Sequence, residues 1–153
     1  MEKLILKPFL GKAKKMAYAL CLGTILLLGF KPIDKKPKLT LQINNVEKDG
    51  IFYVSICSKS AEWSDNGKYS FKFDAMKEGQ NIFEITTVPT GNYAIAIYQD
   101  LNGNEKLDTN FLGIPKEPYG FSNNKIPIFS EPSFEKCKFE FNENNQQISI
   151  NLL

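Results

Sequence analysis

The sequence predicts an all-β fold, an antiparallel β-sandwich of about seven strands over residues 39–153. Three observations predict it. From Leu39 onward apolar and polar residues alternate with period two, the pattern of strands with one buried face. Clusters of Gly, Asn, Asp and Pro recur at short intervals between the alternating runs, as sandwich turns require. No comparably long stretch of this region repeats its apolar residues at the roughly 3.6-residue spacing of a helix.

The elements follow in order. Lys3, Lys7, Lys12, Lys14 and Lys15 precede the apolar run Met16–Phe30. A basic segment followed by an apolar stretch of this length reads as a signal peptide or an N-terminal membrane anchor over residues 1–30, with the positive side cytoplasmic. Residues 31–38, with Pro32, Pro37 and three further lysines after Lys31, form a polar linker. The expectation is an exported protein of the periplasm, cell surface or medium that meets the membrane only through its N-terminal segment.

Within the domain, Leu39, Leu41 and Ile43 alternate, and Lys48-Asp49-Gly50 turns into the run Ile51–Cys57. Asp-Gly is a hairpin signal, because Gly accepts positive φ without steric cost. A polar loop with Trp63 follows, then Tyr69, Phe71 and Phe73, then the runs 82–88 and 93–99 on either side of Pro89-Thr90-Gly91-Asn92. Runs 134–141 and 148–152 flank Asn142-Glu143-Asn144-Asn145. Between them lies one long loop, residues 100–133, longer than compact domains usually tolerate without a function or internal packing. Its Phe111, Ile114, Tyr119, Phe121, Ile126, Ile128 and Phe129 lead us to expect an ordered loop packed on the sandwich.

Composition removes whole classes of function. The chain has no His, and all 19 of its basic residues are Lys. Without His there is no Ser–His or Cys–His nucleophile pair and no His-ligated metal. Without Arg there is no bidentate clamp for phosphate or carboxylate. Five of the 19 lysines and one of the 17 acids precede residue 16, leaving 14 lysines against 16 acids from Lys31 onward. A domain of net charge −2 has no footprint for a phosphate backbone, so nucleic acid is not an expected partner. Ser58-Lys59 and Ser70 with Lys72 carry no recognisable motif. Cys57 and Cys137 read either as one disulfide or as two half-buried thiols. Strand alternation sets Cys57 opposite Phe52, Val54 and Ile56, and sets Cys137 beside Phe139 and Phe141, which favours the thiols.

One stretch carries metal chemistry. Asp100, Asn102, Asn104 and Asp108 place side-chain oxygens at relative positions 1, 3, 5 and 9 of a tight loop, with the Lys106 carbonyl at position 7. Calcium takes six to eight oxygens at roughly 2.3–2.6 Å, and such spacing converges them. Position 6 is Glu105 where Gly eases the turn, and position 12 is Phe111 where a Glu normally binds through both oxygens. Calcium is therefore the possible cofactor, at extracellular-grade affinity. The competing reading is an Asx-rich turn that caps its own amides.

The stretch from Pro89-Thr90-Gly91-Asn92-Tyr93-Ala94-Ile95-Ala96-Ile97-Tyr98-Gln99-Asp100 through Asp108 to Tyr119-Gly120-Phe121-Ser122-Asn123-Asn124 resembles a family of exported bacterial proteins, domain of unknown function 2141. The resemblance implies a prealbumin-like or Ig-like sandwich and an envelope or secreted location, and implies no activity. Family members commonly have Gly where Glu105 stands. The sequence reading is thus a non-catalytic structural or binding protein of the cell envelope, whose partner is an envelope protein or a glycan. Trp63, Tyr119, Phe121, Asn123 and Asn124 are the candidate binding surface. The alternatives are an envelope hydrolase using loop carboxylates and a carbohydrate- or partner-binding adhesion module.

Overall fold

The computed structural model describes residues 36–63 and 67–153. The segment 1–30 read as an export address, and the linker up to residue 35, lie outside the described residues. Among the described residues, no helix is long and apolar enough to cross a membrane.

Eight strands form two sheets. β1 (Leu39–Asn44), β4 (Ile82–Ile85) and β8 (Gln146–Asn151) make a three-stranded sheet in the order β4-β1-β8. β2 (Gly50–Cys57), β3 (Tyr69–Ala75), β5 (Gly91–Asp100) and β6 (Tyr119–Phe121) lie in the order β3-β2-β5-β6, and β7 (Phe139–Phe141) pairs with the start of β5. The two sheets share one core. Leu39, Leu41 and Ile43 of β1 meet Phe52, Val54 and Ile56 of β2, and Ile95 and Ile97 of β5 join them. Phe83 of β4 reaches across the layers, edge-to-face with Phe52 at 6.0 Å and stacked on Phe73 at 4.3 Å. Each fully buried Leu, Ile or Phe contributes about 1.5–3 kcal/mol, so this layer holds the domain together.

The structure corrects several expectations. The strands number eight, and the pairing is not wholly antiparallel, since β1 and β8 run parallel from Leu39 opposite Gln146 to Asn44 opposite Asn151. That register sets Ile148 and Ile150 beside Leu41 and Ile43 on one apolar face. A parallel pair needs a long crossover, and almost the whole domain supplies it. The Asp49-Gly50 turn is not a hairpin, because β1 and β2 belong to different sheets. Gly50 is needed for close approach, since a Cβ there would lie 2.6 Å from the Asp100 carbonyl oxygen.

The run 134–141 is not one strand. Phe134–Cys137 forms a single helical turn, α1, ahead of β7. Phe134 and Cys137 are three residues apart, which suits a helical face and is out of phase with strand alternation. Cys137 therefore does not share the face of Phe139 and Phe141. It joins Cys57, Ala94, Phe121 and Phe134 in a second, smaller core on the other side of the five-stranded sheet. Both cysteines are free and buried. The Cys57 thiol donates to the Glu62 carbonyl at 3.4 Å, and burial pushes both thiols up to about 11. They are protonated at neutral pH and behave as small apolar groups.

The long loop is ordered, but only part of it packs. Tyr119 and Phe121 enter β6. Phe111, Ile114, Ile126, Ile128 and Phe129, expected to pack, are exposed. β6 passes so close to β8 that a Cβ on Gly120 would lie 2.7 Å from Ile150 Cγ2 and 2.9 Å from the Asn151 carbonyl oxygen.

Candidate functional site

Two structures grow from the end of β5. The first is the polar turn 100–108. Asp100 is 2% exposed, and its carboxylate accepts N–H bonds from Gly103 at 2.7 Å, Glu105 at 2.8 Å and Asn102 at 3.1 Å. Burial acts to raise this carboxyl, and the N–H donors outweigh it and hold it below the usual aspartate value. The Asn102 and Asn104 carbonyls accept from the amides of Asn104 and Lys106, while their amide nitrogens donate to the two Asp108 oxygens at 2.6 and 3.0 Å. Buried Glu117 closes the far side, accepting from Leu101 N and Asp108 N, each at 2.9 Å. Glu105 takes the left-handed conformation, φ 63°, that a Gly would take without strain. Its carbonyl accepts the Tyr98 hydroxyl at 2.9 Å, and its carboxylate meets Lys72 at 3.0 Å.

The sequence-predicted positions Asp100, Asn102, Asn104, Lys106 and Asp108 thus converge as a hydrogen-bonded Asx ladder. The oxygen-rich set is of the right chemistry for calcium, yet the amide nitrogens of Asn102 and Asn104 are the groups turned to Asp108. In this arrangement the Asn102 and Asn104 side-chain carbonyls are engaged by the loop's own N–H groups. Among the described residues, no three His, Cys, Asp or Glu side chains gather as a metal-ligand set.

The second structure is a groove of about 570 Å³ on the face of the five-stranded sheet away from the main core. Alternation along β2 and β5 presents Tyr53, Ser55, Ala96 and Tyr98 there, and β6 adds Tyr119 and Phe121. Ser55 faces Ala96 across the strand pair, and these short side chains leave the trough. Tyr53 and Tyr98 stack at 5.0 Å on one side of it, and the Lys72 ammonium sits 4.7 Å from the Tyr53 ring centroid. The walls are segments 112–115 and 127–131 of the long loop. Among the described residues, nine large hydrophobics are exposed, and six of them lie between 111 and 129, Phe111 at 95% and Phe129 at 102% among them. Exposed apolar groups are thus concentrated in this segment, whereas elsewhere among the described residues they stand singly.

One charged side chain, Glu131, lines the groove. Burial raises its carboxyl, and its charge adds to the burial that raises the thiols of Cys57 and Cys137.

Of the predicted binding surface, Tyr119 and Phe121 line the groove. Trp63 is a packing residue, its indole N–H donating to the Pro132 carbonyl at 2.8 Å and its ring lying against Phe121 at 6.0 Å and Phe134 at 6.3 Å. Asn123 donates to the carbonyls of Lys136 and Lys138. Asn124 accepts from Asn151 N at 2.8 Å and donates to the Ser149 carbonyl. Those two asparagines fasten the chain after β6 to its neighbours. Sequence reasoning missed Tyr53, Ser55, Ala96, Tyr98 and Glu131. The signal for the first four was the second face of the alternating strands, where small residues stand between tyrosines.

The chain belongs to the family described as "Uncharacterized protein conserved in bacteria (DUF2141)", whose model matches residues 41–149. No curated protein and no solved structure matches it.

Proposed function

We propose that this member of the family is an exported, non-catalytic binding module of the cell envelope, with its ligand site in the groove over Ser55 and Ala96. One observation carries the reading. Four exposed large apolar side chains, Leu112, Ile114, Ile128 and Phe129, line a trough of about 570 Å³, within the roughly 300–1,000 Å³ of small-molecule sites. The basic and apolar N-terminal segment supports export. The shared core of two sheets supports a sandwich of prealbumin-like or Ig-like type.

The carboxylates of the long loop argue for binding rather than hydrolysis. Both oxygens of Asp100, Asp108 and Glu117 accept hydrogen bonds from the loop itself, so none of the three stands ready as an acid or base. We further propose that hydrogen bonds, not calcium, close the 100–108 turn. The thermal midpoint is then the same in EDTA and in millimolar Ca²⁺. A rise with Ca²⁺ but not Mg²⁺ would instead make the turn a metal staple, since calcium at 100 times its dissociation constant adds about 2.7 kcal/mol.

The groove is tested with a neutral solvatochromic dye, Nile red, on the full chain. One equivalent should bind with a blue shift, and the exposed double substitution Ile128→Ser with Phe129→Ser should abolish it at unchanged thermal midpoint. Equal binding by that variant would sink the site.

A further inference from the structure

We infer that the groove takes a cationic amphiphile, with its apolar body along the floor of Ser55 and Ala96 and its alkylammonium group at Glu131. The inference rests on the reading of the groove as a ligand site and specifies what it binds.

Charge decides the sign of the ligand. Glu131 is an acid, and among the described residues no lysine lines the groove. An anionic headgroup lying against Glu131 would therefore meet a like charge. The thiols below it, Cys57 and Cys137, are neutral and offer no competing charge. A ligand cation is the partner that completes Glu131.

Aromatic rings point the same way. Tyr53, Tyr98, Tyr119, Phe121 and Phe129 all line the groove. The face of an aromatic ring carries negative potential and attracts an ammonium group within about 6 Å, which is how quaternary ammonium ligands are commonly recognised. The rim already shows this chemistry in use, since the protein's own Lys72 ammonium lies 4.7 Å from the Tyr53 ring centroid. The walls of Leu112, Ile114 and Ile128 suit an aliphatic body.

The test compares hexyltrimethylammonium, hexan-1-ol and hexanoate on the full chain, read by calorimetry and by the fluorescence of Trp63, its one tryptophan. The ammonium should bind at least tenfold tighter than the alcohol, with hexanoate weakest. Glu131→Gln should cut the advantage of the ammonium over the alcohol at least severalfold, leaving what the aromatic rings supply, and should leave the alcohol unchanged. Because Glu131 is exposed and its carboxyl is raised on folding, the variant should not lower the thermal midpoint. Equal binding of all three probes, or an ammonium preference undiminished by Glu131→Gln, overturns the inference and leaves the groove standing. If Nile red binds while the ammonium does not, the inference again fails alone. If neither binds the wild-type chain, the groove reading fails with it.

Discussion

Residues 100–110 and 111–131 belong to one long connection, and they solve the problem of being a loop in opposite ways. The first half is polar and turns its side chains inward. Asp100, Asn102, Asn104, Asp108 and Asn110 all take part in bonds within the loop, chiefly to its backbone amides. The second half leaves Phe111, Leu112, Ile114, Ile126, Ile128 and Phe129 in water. A segment that satisfies itself behaves as a strut. A segment that leaves its apolar groups unsatisfied is waiting for something to cover them. The strut holds Leu107 and Thr109 at one side of the groove while 127–131 forms the other. The pairing of a rigid side with an apolar lip is what leads us to propose the trough as a site.

The largest test of this contrast is Asp100→Ala. It leaves three backbone N–H groups without their acceptor in a place where Asp100 is 2% exposed. Bonds to a charged acceptor are worth about 1.5–3 kcal/mol each, and part of the loss is recovered by water. We expect about 3 kcal/mol of lost stability in urea unfolding of the full chain. A loss below about 0.5 kcal/mol would mean the ladder is decoration, and the contrast between the two halves would break.

Next comes Gly120→Ala. The new methyl would sit 2.7 Å from Ile150 Cγ2 and 2.9 Å from the Asn151 carbonyl oxygen, so β6 must move away from β8. Overpacking of this kind costs about 1–3 kcal/mol. Because Tyr119 and Phe121 flank Gly120 and line the groove, Nile red should also bind more weakly. Lost stability with unchanged dye binding would detach β6 from the site.

Much of this was legible in the sequence, and the reasons for the rest are physical. Alternation places Leu39, Leu41, Ile43, Phe52, Val54 and Ile56 on the buried face without ambiguity. It does not say which strands pair, so the parallel partnership of β1 and β8 could not be read. A turn signal such as Asp49-Gly50 reports a local bend and not whether the two strands remain in one sheet. The three-residue step from Phe134 to Cys137 was a helical signal hidden in a strand-like composition. The convergence of Asp100, Asn102, Asn104 and Asp108 followed from their spacing. The groove did not, because it depends on two loop segments meeting over a sheet face whose residues are small.

The two halves also differ in their response to acid. Asp100 is held below the usual aspartate value, so its contribution is present above about 3.9, the unfolded value, and is lost as pH falls through the lower folded value. Glu131 is raised, so its contribution has the opposite sign, absent above its folded value and gained as pH falls toward about 4.3. Acidification from neutrality should first raise stability slightly and then lower it. Glu131→Gln should remove the early rise, and Asp100→Asn should reduce the later fall, to which Glu62 and Glu105, also held below the usual value, contribute as well. A rise that persists in Glu131→Gln would assign it to another group.

The smallest expected effect carries the most weight. Phe129 is fully exposed, and Phe129→Ser removes no folded-state contact that burial could account for. Its stability should change by less than about 0.5 kcal/mol, as for most surface positions. Yet the aromatic ring is unfavourable in water and lines the groove, so the same change should weaken the dye at least severalfold. A residue that contributes nothing to the fold and much to binding is kept for its partner. If Phe129→Ser costs more than 1 kcal/mol, the ring is packed in solution, the lip is part of the core, and the division between strut and site falls.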